Sequence, residues 1–192
     1  AGDVETWSAD PTTLAEPTPV PAGHRVESGG SRQVWQLPEP APDSLETGVE
    51  AVREAVHAAV TDVPTDGLAI AFSGGLDSAI LATLLDAPLY VVGFPESHDI
   101  EAARSAASLL ERDLTVVTLD HDRLEDAVPR VARATGRATA MDVSIALPLY
   151  CVAEAAAADG VDWLALGQGA DELFGGYAKV AKAPEDPRVD AE

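Results

Sequence analysis

Residues 68–86 read LAIAFSGGLDSAILATLLD: an apolar run, a glycine turn and an apolar helical stretch in immediate succession. LAIAF is short and bounded by a turn, as a buried strand is, whereas DSAILATLLD suits a helix. Between them, Gly74 and Gly75 let the backbone curl tightly and approach a ligand. The helix after the turn directs its free N–H groups and the positive end of its dipole at the same spot. Hydroxyls of Ser73 and Ser78 add donors. The stretch therefore reads as an anion cradle suited to phosphate. It differs from the GxxxxGK[ST] loop, since no lysine is near. Asp77 adds a condition: a carboxylate at a phosphate site is repulsive unless a cation lies between them, so magnesium is implied.

Working outward, short apolar strands LYVVG (89–93), LTVVT (114–118) and DWLALG (162–167) alternate with helical stretches near 77–86, 99–110, 122–135 and 142–158. Asp99 and Asp122 stand where N-caps are expected, and Pro148 predicts a kink or a late start in the last helix. Strands this apolar are covered on both faces. The expected fold is therefore α/β, a parallel sheet of about four or five strands with helices on both faces. The last strand runs into GQGADELFGGY (167–177). Here Gly167 and Gly169 permit close backbone approach, and Asp171 and Glu172 place carboxylates at the C-terminal end of a strand. With the four strands in spatial order third, second, first, fourth, the loops after the first and fourth meet at the switch point. Asp77 and Asp171 would then share a metal ion on pyrophosphate.

Upstream, residues 1–43 hold many prolines and the Gly29–Gly30 pair, and read as short strands and turns, VETWSA and RQVWQL being the best strand candidates. From Asp43 the pattern changes. Asp43 and Glu46 have capping-box spacing, and Leu45, Val49, Val52, Val56 and Val60 recur at helical intervals. Downstream, residues 183–192 form a polar tail with two prolines.

The formal net charge is −21, from 33 acidic and 12 basic residues, and Lys179 and Lys182 are the lysines. Acidic residues spread along the whole chain suit a solvated surface in concentrated salt, which screens their repulsion. A halophilic source is expected. A nucleic-acid partner is disfavoured, because no basic cluster is present to neutralise phosphates. Cys151 excludes an internal disulfide and reads as a small buried hydrophobe. No apolar stretch reaches the roughly 18–20 residues of a membrane helix, and no signal peptide is recognisable, so a cytoplasmic location is expected. Trp7, Trp35 and Trp163 read as packing residues, His98 as a loop histidine on the ligand edge, and His24, His57 and His121 receive no role.

SGGLDS resembles the signature of the PP-loop ATP pyrophosphatases, which cleave ATP between the α- and β-phosphates and leave AMP on an acid or carbonyl. GADELFGGY is more discriminating. It resembles the second signature of the asparagine synthetase group, which includes β-lactam synthetases and lasso-peptide cyclases, and DVSIALPLY (142–150) resembles the family segment before it. The resemblance implies a PP-loop (adenine nucleotide alpha hydrolase-like) domain over residues 43–182. It further implies that Ser73, Gly74, Gly75, Asp77 and Ser78 hold the phosphates, and that Ala71, Val92, Gly93 and Gly167 surround the adenosine. Asp77 and Asp171 would bind Mg2+. VPAGHRVE and VWQLPEP resemble the last strands of a class II glutaminase domain, so residues 1–42 are expected to be a small β remnant of one, with a linker. That glutaminase uses an N-terminal cysteine; Ala1 stands first here, and no glutamine hydrolysis is expected of this chain.

Two departures bear on mechanism. The family signature reads GEGADE or GDGADE, with the acid assisting amine attack; Gln168 stands at that position, and a neutral amide takes no proton. The family also supplies a downstream lysine; Lys179 and Lys182 read instead as solvated residues. The expected activity is ATP-dependent amide formation on the aspartate side chain (or a related acid) by ammonia or an amine, with Asp77, Asp171, Gln168 and Glu172 as catalytic candidates. Other readings are a PP-loop enzyme acting on another acceptor, or a split or non-catalytic nucleotide-binding domain. A separate glutaminase, missing chain portions and a homo-oligomer are left open as partners.

Overall fold

The computed structural model describes residues 7–8, 13–16, 18–27, 30–36, 44–174 and 176. A two-stranded antiparallel hairpin, β1 (His24–Glu27) and β2 (Gly30–Gln33), precedes helix α1 (Leu45–Thr61). Then come β3 (Leu68–Ala71), α2 (Leu76–Leu84), β4 (Leu89–Gly93), α3 (His98–Leu109), β5 (Leu114–Thr118), α4 (His121–Thr135), α5 (Ala140–Ala158), β6 (Trp163–Ala165) and α6 (Ala170–Phe174). Strands β3 to β6 form one parallel sheet in the order β5-β4-β3-β6. This is the order that brings the loops after β3 and β6 together. The chain steps outward from β3 through α2 and α3, then returns through α4 and α5 to the other side of β3. Crossovers of one hand running in opposite directions put their helices on opposite faces.

Side-chain alternation along the strands divides the core accordingly. Leu68, Ile70 and Phe72 of the first strand and its exit, with Leu89 and Val91 of β4, pack with Ala82 of α2 and Ala103 and Ala107 of α3. The intervening Ala69 and Tyr90, with Val117, meet Val152 and Ala156 of α5. A third cluster joins α4 to α5 through Val131, Leu147 and Cys151. Truncating a fully buried member such as Ile70 to alanine costs about 2–5 kcal/mol.

Two polar devices fix this scaffold. Arg112, after α3, donates to the carbonyls of Ala82, Leu85 and Ala87 at 2.8, 3.2 and 2.7 Å, satisfying the C-terminal end of α2. Its ion pair with the fully exposed Asp86 adds little. Tyr90 Oη donates to Asp159 at 2.8 Å, tying β4 to the end of α5.

Several local expectations are corrected. The caps are Ser97 for α3 and Asp120 for α4, each two residues before the aspartates expected; Asp99 and Asp122 lie in the first turns instead. Ser44 caps α1, accepting from Thr47 N–H; Asp43 lies outside the described residues. α5 starts eight residues before Pro148 rather than late, and its 19 residues are long and apolar enough, by length and composition, to cross a membrane. That overturns the reading that no stretch reaches such a length. Its buried residues, among them Val143, Leu147 and Val152, pack on α4 and the sheet as those of a core helix. The tryptophans are not packed: Trp7, Trp35 and Trp163 are exposed, Trp163 because β6 is an edge strand. The α1 stripe is largely exposed too, with Leu45, Val49 and Val52 uncovered and Val60 alone packed against the core. Of the two N-terminal strand candidates, VETWSA falls mostly outside the described residues, and RQVWQL contributes only its first two residues to β2. Lys179, Lys182 and the polar tail lie outside the described residues.

Candidate nucleotide site at the switch point

The loop after β3 is built from its own residues. Gly75 N–H donates to Ser73 Oγ at 3.2 Å, Ser78 Oγ donates to the Gly75 carbonyl at 3.1 Å, and the two hydroxyls lie 3.2 Å apart. Ser78 is buried, whereas Ser73 and Asp77 are exposed. Gly75 serves as the N-cap of α2 without a side-chain hydrogen bond, so the first N–H groups of that helix keep free donor capacity. Gly74 has φ +78, and a Cβ there would lie 2.8 Å from the backbone of Ala102 and Ala103 in α3. Glycine is thus demanded twice, by conformation and by contact. The contact also seats the loop on α3.

The loop after β6 reaches the same place. A Cβ on Gly167 would come within 2.9 Å of Asp77 Cβ and of Ser78 N. The two signature loops are therefore in van der Waals contact across the junction of β3 and β6.

A cleft of about 290 Å³ opens there, near the lower limit for small-molecule pockets. Of the residues read from the sequence, Ala71, Ser73, Gly75, Asp77 and Ser78 line it from the first loop. Val92, Gly167 and Gln168 line it from β4 and the second loop. Gly93 does not; its Cβ would meet Ser97 Oγ at 2.6 Å, so it makes room for the cap of α3. Gly74 and Asp171 also lie outside the lining. Asp171 sits in the short helix α6, with Gly176 so close that a Cβ there would overlap its carboxylate. No hydrogen bond or ion pair joins Asp77 to Asp171 among the described residues. Glu172 belongs to α6, its side chain outside the described residues. His98 is the exposed first residue of α3 and does not line the cleft.

The wall opposite the loop is not foreseen from the sequence. Pro148, Leu149 and Val152 of α5, with Val91 of β4 and Leu166, supply apolar surface, and Asp99 adds a second carboxylate. Pro148 and Leu149 belong to the DVSIALPLY segment singled out by resemblance, but their place in the cleft results from how the helix lies over the sheet. Cys151, buried beside them, takes no part in the cleft; burial, above all, pushes its thiol pKa up, which makes it a weak nucleophile.

The donor set fits both implied groups. Free N–H groups at a helix start, two hydroxyls and a flexible glycine turn suit phosphate. Magnesium is held by one or two carboxylates plus substrate phosphates rather than by a protein cage. Asp77 beside an anion cradle suits that arrangement, and among the described residues no group of three or more candidate ligands forms a cage.

The asparagine synthase family profile matches residues 49–190. The chain belongs to the asparagine synthase family. A provisionally named glutamine-hydrolyzing asparagine synthetase of Methanocaldococcus jannaschii is 36% identical over 118 residues, covering 59% of this chain and 22% of that protein. The glutamine-hydrolyzing asparagine synthetase of Sandersonia aurantiaca is 28% identical over 200 residues, covering 90% of this chain and 37% of its own length. The chain thus spans well under half the length of these relatives. Among solved structures, an NH3-dependent NAD synthetase from Campylobacter jejuni in complex with nitrate aligns with TM-score 0.42 and 16% identity, over 71% of this chain and 62% of that one.

Proposed function

We propose that this chain is the nucleotide-binding core of an ATP-dependent amide-forming ligase. It activates the side-chain carboxylate of aspartate, or a related acid, and passes the acyl group to ammonia or an amine. The observation that carries this reading is the contact of Gly167 with Asp77, which joins the two family signatures at one cleft.

In this reading Ser73, Gly75, Ser78 and the α2 N-terminus hold the phosphates, and the base lies against Val91, Val92 and Val152. Magnesium, when bound, supplies positive charge to the departing pyrophosphate, and Asp77 and Asp171 are the residues that would hold it. A carboxylate oxygen of the acid attacks the α-phosphorus and pyrophosphate leaves, giving an acyl-adenylate. The nitrogen then attacks the acyl carbon, AMP leaves, and the nitrogen loses a proton. Gln168 lines the cleft and can orient the incoming nitrogen through its carbonyl, but a neutral amide does not take that proton. Ala71 and Gly167 complete the nucleoside surroundings, and Glu172 stands next to Asp171 as a further carboxylate.

The hairpin β1–β2 supports residues 1–42 being the end of a glutaminase-like domain, with ammonia delivered from a separate or fuller glutaminase. The acidic surface suits a cytoplasm of high salt.

The test is release of AMP and pyrophosphate from magnesium-ATP in molar KCl, with ammonia present. Release that requires aspartate is the expected result. Gln168 favours a second reading, nucleotide binding without amide formation; ATP binding with no AMP from any carboxylic acid tried would replace the ligase with it.

A further inference from the structure

Asp99 lines the cleft together with Asp77, and the N-cap of α3 does not use its carboxylate. Its expected role is the cap of α3, yet Ser97 fills it, accepting from the Ile100 N–H at 3.4 Å. No hydrogen bond or ion pair engages the Asp99 carboxylate among the described residues.

Its position, by contrast, is closely determined. Ser97 N–H donates to the Phe94 carbonyl at 3.0 Å, closing a turn in which Glu96 takes φ 60, an unfavourable conformation for a residue with a Cβ. The absence of a side chain at Gly93 lets Ser97 and Ile100 press onto the end of β4. One turn further on, the α3 backbone abuts Gly74 of the first loop. α3 is thereby seated both on the strand that would carry the base and on the loop that would carry the phosphates, and its Asp99 lines the cleft. Strain kept in such a turn points to a functional demand on the first turn of α3, where Asp99 lies.

A carboxylate facing phosphate is repelled, so within a nucleotide Asp99 suits the uncharged donors of the nucleoside. In dinucleotide-binding sheets an acidic residue about 20 residues after the glycine loop, near the end of the next strand, accepts from ribose hydroxyls. Asp99 has the equivalent place in the chain here, after β4 and downstream of Gly74.

We propose that Asp99 accepts hydrogen bonds from the ribose hydroxyls of the bound nucleotide and so selects ribonucleotides over deoxyribonucleotides. This rests on the nucleotide reading of the same cleft. The test is titration calorimetry of the whole chain with magnesium and ATP, 2′-deoxy-ATP, 3′-deoxy-ATP or purine riboside triphosphate, for the wild type, Asp99→Asn and Asp99→Ala. The wild type is expected to bind ATP roughly 10- to 100-fold tighter than at least one deoxy analogue, the range for a hydrogen bond to a charged group. Asp99→Ala should abolish that preference, with Asp99→Asn intermediate and thermal unfolding near that of the wild type. A ribose preference unchanged in both variants would overturn the inference while leaving the nucleotide site standing. Sensitivity to purine riboside triphosphate alone would overturn it in favour of a contact to the base amine. Failure of the wild type to bind ATP would overturn both readings.

Discussion

The two signature loops meet, but they are built differently. The loop after β3 is fixed from every side: its hydroxyls bond within the loop, Gly74 abuts α3, and Arg112 holds the far end of the helix it starts. The loop after β6 is fixed chiefly at Gly167; beyond it, Leu173 and Phe174 of α6 are 72% and 63% exposed. One loop is closed by its own hydrogen bonds, the other is a contact leading into an exposed carboxylate-bearing helix. A loop held by several contacts thus stands beside a more exposed one.

Substitutions at the two glycines test this contrast. Gly74→Ala places a Cβ at positive φ and against α3 backbone, and should cost roughly 3 kcal/mol or more in urea unfolding. Gly167→Ala meets only steric crowding at Asp77 and Ser78. It should cost about 1–2 kcal/mol and fall more heavily on ATP affinity, about tenfold by titration. Equal stability losses at both positions would mean that the second loop is as firmly built in as the first.

A smaller effect lies in the scaffold that both loops share. Burial, then the hydrogen bond to Asp159, raises the pKa of Tyr90, and burial raises that of Cys151 above its ordinary 9.0. Each group therefore binds its proton more tightly when folded. Its contribution to stability is complete below its unfolded pKa and is lost as pH rises through the folded one. On the alkaline side, these two groups should leave thermal unfolding unchanged between about pH 7 and 8 and lower it above about pH 9, with a shallower onset in Cys151→Ala. The same alkaline slope in that variant would remove Cys151 from the explanation.

Much of the fold is legible in the sequence because apolar periodicity is a strong signal. The four sheet strands lie within two residues of their expected bounds, and the order β5-β4-β3-β6 is the one the two-loop site requires. Caps are less legible: Ser97, Asp99, Asp120 and Asp122 are all competent, and backbone conformation, not residue type, selects among them. The same displacement hides Asp99 from the site, since an aspartate assigned to a cap has its role already filled. The wall from α5 is invisible because Leu149 and Val152 reach the cleft through tertiary packing. The room that Gly93 leaves for Ser97 is not legible in the sequence either. Exposure of Trp163 and of the α1 stripe likewise depends on which neighbours cover them, and periodicity cannot report that.

If both loops serve one nucleotide, a carboxylate in either should govern magnesium-dependent ATP binding. The comparison is the wild type against Asp77→Ala and Asp171→Ala, titrated with ATP in molar KCl with and without magnesium. Tight, magnesium-dependent binding is predicted for the wild type, and its loss in each variant with the fold retained. Wild-type affinity and magnesium dependence in both variants would contradict a shared site.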